Sequence, residues 1–453
     1  MMFQAVKSEI VSHISYIIRS KNEIAVIDPR RDCQIYLETA AKWGAKIKYI
    51  LETHRNEDYV IGSLELANLT NARIFHGSGL PWKYGEIIED KQELSLGALS
   101  IEALHTPGHS IDSLCYAVSD LESGKKVVVV FTGDTLFVGD VGRIDFLGAE
   151  MTPVMAEKMY DSIMSKLIPL GEGVIVCPSH GAGSVCGAKI RQREISTIGI
   201  EKTTNPMLKL DKKEFVSYKV NEKNQSPPYF KQMEKYNLEG PPVLGNVPHP
   251  KALSASEFAE ISKNAYIIDT RSPVAFGGGH IEGSYSLTPS RLSNIGWIAN
   301  YEKPILLVVE NLEALDFATR NLFRLGYDKI EGYLTGGLEE WYKEGLPLSR
   351  VNLITVIDLE KMIASKEELL IVDVRREAEW IEGHIEGSKH IYLGLLEKHV
   401  EQLPRDIPLV VLCKTGNRSS FGASVLLKAG FKHVYNCLGG TDAWIKSGFP
   451  LVK

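Results

Sequence analysis

Residues 52–63 read ETHRNEDYVIGS and directly follow the apolar, strand-like stretch IKYIL. His54 and Asp58 are residue types that bind metal ions in proteins, and both come where the chain leaves that strand. A histidine and a carboxylate in a loop of this kind predict a metal-binding loop. Further ligands are then expected at the ends of other strands.

Such residues follow other strand-like stretches of the N-terminal half. They are His109 in HTPGHS, Asp134 in VVVVFTGDTLF and His180 in CPSHGAGSVCG. The order, spacing and strand-end placement of these side chains resemble the metallo-β-lactamase superfamily. The resemblance implies an N-terminal αββα sandwich with metals at the sheet edges.

Hydrolases of that superfamily bind two zinc-type ions and carry the string T-H-x-H-x-D-H. This chain departs from the string at Asn56 and Tyr59. An amide offers only a neutral oxygen, and a phenol with a pKa near 10 is a poor zinc ligand at neutral pH. A dinuclear hydrolase is therefore not favoured. Four residues are interpreted as neighbours of the metal ligands or as remnants of a second metal site: Asp58, His180, Asn56 and Tyr59.

His54, His109 and Asp134 remain, and two histidines with one carboxylate form the ligand set of non-haem Fe(II) oxygenases. One branch of the superfamily, the persulfide dioxygenases related to the ethylmalonic encephalopathy protein, uses these positions. The resemblance implies one Fe(II) per chain, with zinc as the alternative if the site is repurposed. The stretch GRIDF also resembles that branch, which implies that Arg143 binds the thiol-persulfide substrate. The alternative for Arg143 is an ion pair with a nearby aspartate.

The C-terminal half contains an internal repeat. IIDTRSPVAFGGGHIEGSYSL aligns with IVDVRREAEWIEGHIEGSKHI, and Asp269 and Asp373 are 104 positions apart. A repeat of this length is a duplicated domain, and each copy predicts an α/β fold with a parallel sheet. The predicted organisation is α/β multidomain, with a metallo-β-lactamase-like domain and connector at 1–245 and rhodanese-like copies at 250–350 and 352–453.

The second copy contains LVVLCKTGNRSSFGAS, a strand, a short loop and the start of a helix. Cys413 ends the strand, and the helix N-terminus together with Arg418 favours a thiolate or an anionic persulfide on Cys413. The persulfide loop is formed by Lys414, Thr415, Gly416, Asn417 and Ser419.

This loop resembles that of a rhodanese, which implies sulfur transfer through Cys413. A cysteine phosphatase and an inert buried cysteine are the alternatives. Phosphatase loops place five residues between the cysteine and the arginine, whereas four separate Cys413 from Arg418. In the first copy the equivalent positions are Val309 and Ala314, so residues 250–350 are predicted to be an inactive pseudo-rhodanese that serves packing, spacing or docking.

The composition of the chain indicates which binding partners and which cellular compartment are expected. The chain has 453 residues, a formal net charge of -6 and no block of basic residues, which argues against nucleic acid or membrane as a partner. Six cysteines without a CxxC pair favour a reducing cytoplasm, and all except Cys413 are expected to be small buried residues. A homo-oligomer is expected.

The whole chain resembles multidomain persulfide dioxygenase–sulfurtransferases. The resemblance implies that iron and O₂ oxidise a low-molecular-weight thiol persulfide to sulfite, and that Cys413 transfers sulfane sulfur to sulfite to give thiosulfate, or runs the reverse. Two alternatives stay open. One is a sulfurtransferase with a catalytically degenerate metal domain, and the other is a thioester hydrolase of the glyoxalase II type.

Overall fold

The structure is a computed structural model, and it describes residues 1–187 and 189–453. The chain divides into two compact units. The first is Met1–Val247 with Arg324–Gly326, and the second is Pro248–Phe323 with Tyr327–Lys453. Among the described residues, no helix combines the length and the apolar character needed to cross a bilayer.

The first unit is built on two six-stranded mixed sheets. The strands of the first sheet are β1 (Met2–Ser8), β2 (His13–Ser20), β3 (Glu23–Ile27), β4 (Lys46–Leu51), β5 (Arg73–His76) and β6 (Glu86–Ile87). Those of the second are β7 (Glu93–Leu96), β8 (Leu99–His105), β9 (Leu114–Asp120), β10 (Lys126–Gly133), β11 (Ile175–Pro178) and β12 (Ser196–Thr197).

Helices cover the outer faces of both sheets. The helices of this unit are α1 (Gln34–Trp43), α2 (Ser63–Thr70), α3 (Thr152–Ser162), α4 (Ile198–Thr204), α5 (Lys212–Val220) and α6 (Phe230–Glu239). A π-helical turn at Ile163–Leu167 extends α3, and 3₁₀ turns lie at Glu9–Val11, Ile168–Leu170 and Pro206–Lys209.

The alternation of side chains along β9 shows why the layers form. Tyr116 and Val118 pack into the core between the two sheets, whereas Cys115 and Ala117 pack into the core beneath α3 and α5. Because successive strand residues point to opposite faces, one apolar strand serves both cores. The predicted αββα sandwich is confirmed.

The second unit contains two five-stranded sheets whose strand pairings are all parallel. The first comprises β13 (Lys251–Leu253), β14 (Tyr266–Asp269), β15 (Tyr285–Ser286), β16 (Ile305–Val308) and β17 (Ile330–Leu334). The second comprises β18 (Asn352–Thr355), β19 (Leu370–Asp373), β20 (Lys389–His390), β21 (Leu409–Leu412) and β22 (Val434–Leu438). Both have the order first–fifth–fourth–second–third, which confirms the duplicated parallel α/β fold.

Helices alternate with these strands in both copies. They are α7 (Ala255–Ser262), α8 (Pro273–Gly278), α9 (Leu312–Arg324), α10 (Gly337–Lys343), α11 (Val356–Ala364), α12 (Glu377–Glu382), α13 (Leu396–His399), α14 (Asn417–Lys428) and α15 (Gly440–Lys446). Short 3₁₀ turns lie at Pro289–Trp297, Leu393–Leu395 and Val400–Gln402.

The two copies share a register that fixes the position of the cysteine loop. Asp269 pairs with Val308 in the first copy, and Asp373 pairs with Leu412 in the second. The residue that follows β16 in the first copy is therefore Val309, and the residue that follows β21 in the second copy is Cys413. The first copy therefore has valine at the position that aligns with Cys413, as the repeat predicts.

The connector predicted at the end of the 1–245 domain contains the helix α6, which the sequence pattern did not reveal. Asn237 of this helix is fully buried and bonds to the loop that follows β4. Its Nδ2 donates to the backbone oxygens of Asn56 (2.6 Å) and Tyr59 (2.7 Å), and its Oδ1 accepts from the amide of Ile61 (3.0 Å). The connector thus holds the loop that carries His54 and Asp58.

We predict that Asn237→Ala destabilises this unit by roughly 2–4 kcal/mol, because it leaves several buried backbone groups without a hydrogen-bond partner. Denaturant unfolding of the full chain measures the change. Asn221→Ala is the matched control, since the Asn221 amide donates to Ser217 at an exposed position. Equal stabilities for the two variants would contradict a role for Asn237 in holding the loop.

Candidate functional site

The three predicted metal ligands meet between the two sheets of the first unit. His54 follows β4, His109 follows β8 and Asp134 follows β10, and all three are buried. Asp134 Oδ2 lies 3.9 Å from His54 Nε2 and 3.6 Å from His109 Nε2. One ligand atom from each residue lies within 4.8 Å of the other two, which is the spacing of groups that share one ion.

The hydrogen bonds of His54 fix its tautomer. The Thr53 hydroxyl donates to Asp28 Oδ2 (2.7 Å), and its oxygen lies 2.9 Å from His54 Nδ1. A hydroxyl has one proton, so Thr53 must accept from the Nδ1–H of His54. The lone pair of His54 is therefore on Nε2, the nitrogen that faces Asp134.

His109 is oriented in the same way by a different acceptor. Its Nδ1 lies 2.8 Å from the backbone oxygen of Arg143, and a carbonyl can only accept. His109 Nε2 is therefore also unprotonated when the ring is neutral. The edge of the Phe146 ring packs against His109 with the centroids 5.2 Å apart, which restricts rotation of the imidazole.

The electrostatics favour the ligand forms of His54 and Asp134. Burial lowers the pKa of His109, but the charges of Asp134 and Glu57 outweigh it and raise that pKa. Burial lowers the pKa of His54 to about 4, so the imidazole is neutral near pH 7. Burial alone would raise the pKa of Asp134, but the charges of His180 and His109 outweigh it and hold that pKa well below its usual range. Metal binding requires a neutral imidazole and an ionised carboxylate, and the pKa directions of His54 and Asp134 favour both.

Glu57 is a neighbour of His109 that the sequence pattern did not identify. Its Oε2 lies 3.4 Å from His109 Nε2, and its Oε1 accepts from Arg55 at 3.3 Å. Glu57 Oε2, His109 Nε2 and Asp134 Oδ2 are buried and make no hydrogen bond within the described residues. Converging acceptors without a donor carry a large desolvation cost, which a bound cation would offset. The residues present therefore fit a divalent metal ion.

Four residues were interpreted from the sequence as neighbours of the metal ligands or as remnants of a second metal site. They lie around His54, His109 and Asp134. Asn56 donates to the backbone oxygen of His54 (3.1 Å), and the Tyr59 ring stacks on His13. Burial raises the pKa of Tyr59 well above its usual value, which keeps the phenol neutral. Asp58 and His180 lie on the far side of Asp134, and His180 Nδ1 is 2.8 Å from Asp134 Oδ1.

Arg143 is buried and its guanidinium is paired. Nε and Nη2 each donate to Asp145 at 2.7 Å, and Nη2 also donates to Ser226 Oγ at 2.9 Å. The guanidinium carbon lies 4.6 Å from the centre of the Phe146 ring. The structure thus contains the ion pair with Asp145, and contact of Arg143 with a substrate stays a prediction.

In the second unit, Cys413 lies at the base of the loop between β21 and α14. The amide of Gly416 donates to its Sγ at 3.1 Å, and Gly416 adopts a φ of 100°, which favours glycine. Lys414 and Thr415 are exposed, whereas Cys413 itself is buried. The loop therefore curls around the sulfur.

Arg418 lies in the first turn of α14, close to Cys413, and pairs with a carboxylate. Its Nη1 and Nη2 donate to the two oxygens of Glu379, both at 2.6 Å. Burial raises the pKa of Glu379, but the bonds from Arg418 outweigh this and hold that pKa at about 2. Glu379, which the sequence did not indicate, therefore fixes the cation near the sulfur.

A second set of bonds holds the helix that follows the cysteine. Ser419 Oγ lies 3.4 Å from Cys413 Sγ and donates to Asn436 Oδ1 at 2.6 Å. From the first copy, Ser286 Oγ lies 2.7 Å from Ser420 Oγ, and the Ser286 amide donates to Ser424 Oγ at 3.2 Å. The first copy therefore packs directly against the helix that begins at the cysteine loop.

Comparisons with known proteins agree with this geometry. Residues 11–180 match the family model for the metallo-beta-lactamase superfamily, and residues 254–344 and 355–447 each match that for the rhodanese-like domain. A persulfide dioxygenase, the mitochondrial ETHE1 protein of Bos taurus, is 28% identical over 233 residues, which are 49% of this chain and 76% of the relative.

Two further proteins are similar to this chain. The cytoplasmic hydroxyacylglutathione hydrolase of Arabidopsis thaliana is 31% identical over 229 residues, 44% of this chain and 85% of that protein. The crystal structure of a metallo-beta-lactamase from Staphylococcus aureus subsp. aureus COL is 30% identical, with a TM-score of 0.66, and covers 74% of this chain and 98% of that one. The chain therefore belongs to the metallo-β-lactamase superfamily and carries two rhodanese-like domains after its metallo-β-lactamase domain.

Proposed function

We propose that the chain oxidises a low-molecular-weight thiol persulfide to sulfite at one Fe(II) bound by His54, His109 and Asp134, and transfers sulfane sulfur through Cys413. The overall oxidation is balanced as RSSH + O₂ + H₂O → RSH + H₂SO₃. One observation carries the proposal. His54 and His109 each use Nδ1–H in a hydrogen bond to the protein, so that the Nε2 atoms of both face Oδ2 of Asp134.

This ligand set favours a mononuclear iron site. Two imidazoles and one carboxylate leave other coordination positions open, and Fe(II), when bound, supplies the redox chemistry that O₂ requires. The similarity to a persulfide dioxygenase supports the same assignment. A catalytically degenerate metal domain is less favoured, because the three ligands are buried and oriented toward one another, and because His54 and Asp134 are in the charge states that metal binding needs.

The surrounding residues orient the ligands and exclude water. Thr53 and the Arg143 carbonyl hold the two imidazoles, and Phe146 and Phe230, with centroids 6.3 Å apart, form an apolar wall beside His109. An apolar wall suits the carbon chain of a thiol carrier and limits loss of the persulfide to hydrolysis. Arg143 lies against this wall and is the candidate for contact with the anionic part of the substrate.

The second proposed step takes place on Cys413. When Cys413 carries an outer sulfur as a persulfide, sulfite attacks that sulfur and a new sulfur–sulfur bond forms. The bond to Cys413 breaks, and its electron pair remains on the cysteine thiolate, so that thiosulfate is released without a net oxidant. The Gly416 amide, which donates to Sγ, and the nearby Arg418 stabilise negative charge at this position.

A hydrolase of the glyoxalase II type is the second candidate, favoured by the similarity to a hydroxyacylglutathione hydrolase. Its chemistry needs two metal ions that share an activated water. Here His180 Nδ1 engages Asp134 Oδ1, which leaves only Oδ2 of this carboxylate facing the His54 and His109 side. The geometry therefore supports the dioxygenase better than the hydrolase.

We expect His109→Ala to reduce iron binding from about one ion per chain to a trace and to lower persulfide-dependent O₂ uptake by about 100-fold or more, because a ligand is lost. Metal analysis of anaerobically purified protein and an oxygen electrode measure the two effects. His249→Ala, at an exposed position, is the control. A wild-type protein that turns over S-lactoylglutathione but consumes no O₂ with a persulfide would instead support the hydrolase.

We expect Cys413→Ser to reduce thiosulfate:thiol sulfur transfer to background while persulfide-dependent O₂ uptake persists, because the two reactions use separate groups. Cys437→Ala is the matched control, since Cys437 is also buried in this domain but lies outside the loop. Sulfur transfer that survives in Cys413→Ser would contradict the assignment of the nucleophile.

A further inference from the structure

The first rhodanese-like copy contacts the second copy on two sides of the cysteine loop. Ser286 Oγ lies 2.7 Å from the Oγ of Ser420, which belongs to the first turn of α14. On the other side, the rings of Trp297 and Tyr392 pack edge to face with their centroids 5.6 Å apart. A Cβ on Gly394 would come within 2.4 Å of the Trp297 ring, so a side chain there would displace the ring. Both ends of the segment from Ser286 to Trp297 are therefore held against the second copy.

Arg291 lies in this segment, between the two contacts. It belongs to the 3₁₀ turn Pro289–Trp297, which is anchored by the fully buried side chains of Leu292 and Ile295. Arg291 itself is exposed, and in the described part of the chain its guanidinium forms no ion pair with a carboxylate. This cation of the first copy is therefore free to bind a solute.

The charge of Arg291 is close enough to the cysteine loop to interact with it. Desolvation by the surrounding protein and the positive charge of Arg418 lower the pKa of Arg291, whereas the negative charge of a Cys413 thiolate raises it. A lowered pKa shows that the positive charge of Arg291 is not compensated by the protein. A bound anion would supply that compensation.

The arginine of the loop itself is already paired. Arg418 donates from Nη1 and Nη2 to the two oxygens of Glu379, both at 2.6 Å. Its positive charge is therefore largely compensated within the second copy. An anion that approaches a negatively charged sulfur on Cys413 is repelled unless another cation is near.

We propose that Arg291 binds the sulfur oxyanion, sulfite or thiosulfate, that reacts at Cys413. Guanidinium groups bind oxyanions through two parallel hydrogen bonds, which also orients the anion. Arg291 takes no part in making or breaking bonds, since the sulfur of sulfite still attacks the outer sulfur on Cys413. The proposal rests on the sulfur transfer proposed for Cys413. It gives the first copy, which has no nucleophile, a role in binding the substrate.

Alkylation of Cys413 by an anionic and by a neutral reagent tests the role of Arg291 in the full-length chain. The rates of reaction with iodoacetate and with iodoacetamide are compared at low ionic strength, and the labelled peptide is identified by mass spectrometry. We expect Arg291→Gln to lower the ratio of the iodoacetate rate to the iodoacetamide rate by about 5-fold, because only iodoacetate carries a charge that Arg291 attracts. High salt should reduce this difference.

Two further variants separate the local charge of Arg291 from other effects. Arg291→Lys keeps the positive charge and should keep most of the ratio. Arg320→Gln removes the same charge from the same copy, at a position paired with Asp316, and should leave the ratio unchanged. A loss that occurred equally in Arg320→Gln would reflect net charge alone and would contradict the assignment of Arg291.

Thiosulfate:thiol sulfur transfer provides a second measurement, in which Arg291→Gln should raise the KM for thiosulfate by about 5-fold or more. An unchanged alkylation ratio in Arg291→Gln, or an unchanged KM where Cys413 reacts with neither reagent, would overturn the proposal, as would the absence of both alkylation and sulfur transfer. A chain that shows the change in ratio but no turnover of thiosulfate would keep the anion site and contradict the proposed sulfur transfer instead.

Discussion

Asp134 is a buried carboxylate that faces three histidines, and the arrangement of the loops around it depends on how its negative charge is compensated. Oδ2 lies near His54 and His109, whereas Oδ1 is bonded to His180. An ionised carboxylate without solvent is stable only beside compensating charge. The end of β10, which delivers Asp134, therefore fixes where the loops after β4, β8 and β11 must place their imidazoles.

The sequence predicted those features that depend on short-range order along the chain. Asp134 follows an apolar strand and His109 follows another, so their placement at strand ends could be inferred from hydrophobic pattern and motif spacing. The duplication was evident because Asp269 and Asp373 recur in nearly identical surroundings. The loop after Cys413 was identified for a similar reason, since Cys413, the loop residues 414–417 and Arg418 are consecutive in the chain.

Features that depend on contacts between distant segments could not be predicted in this way. Asn237 lies in a polar helix whose pattern gives no sign that its amide bonds the loop at residues 56–61. Glu379 is one of several glutamates around α12, and only the fold brings it to Arg418. Cys186 belongs to no spaced pair of cysteines, so its proximity to Asp58 arises from tertiary structure alone.

The helix α6 in the connector determines which stretch of chain must be transferred together with the N-terminal sandwich. The family match ends at residue 180, yet the loop that carries His54 is bonded to Asn237, far beyond that limit. A chimera that joins this sandwich to another domain must therefore include the chain through Glu239, the end of α6. Without α6, the loop that carries His54 loses its hydrogen bonds to Asn237.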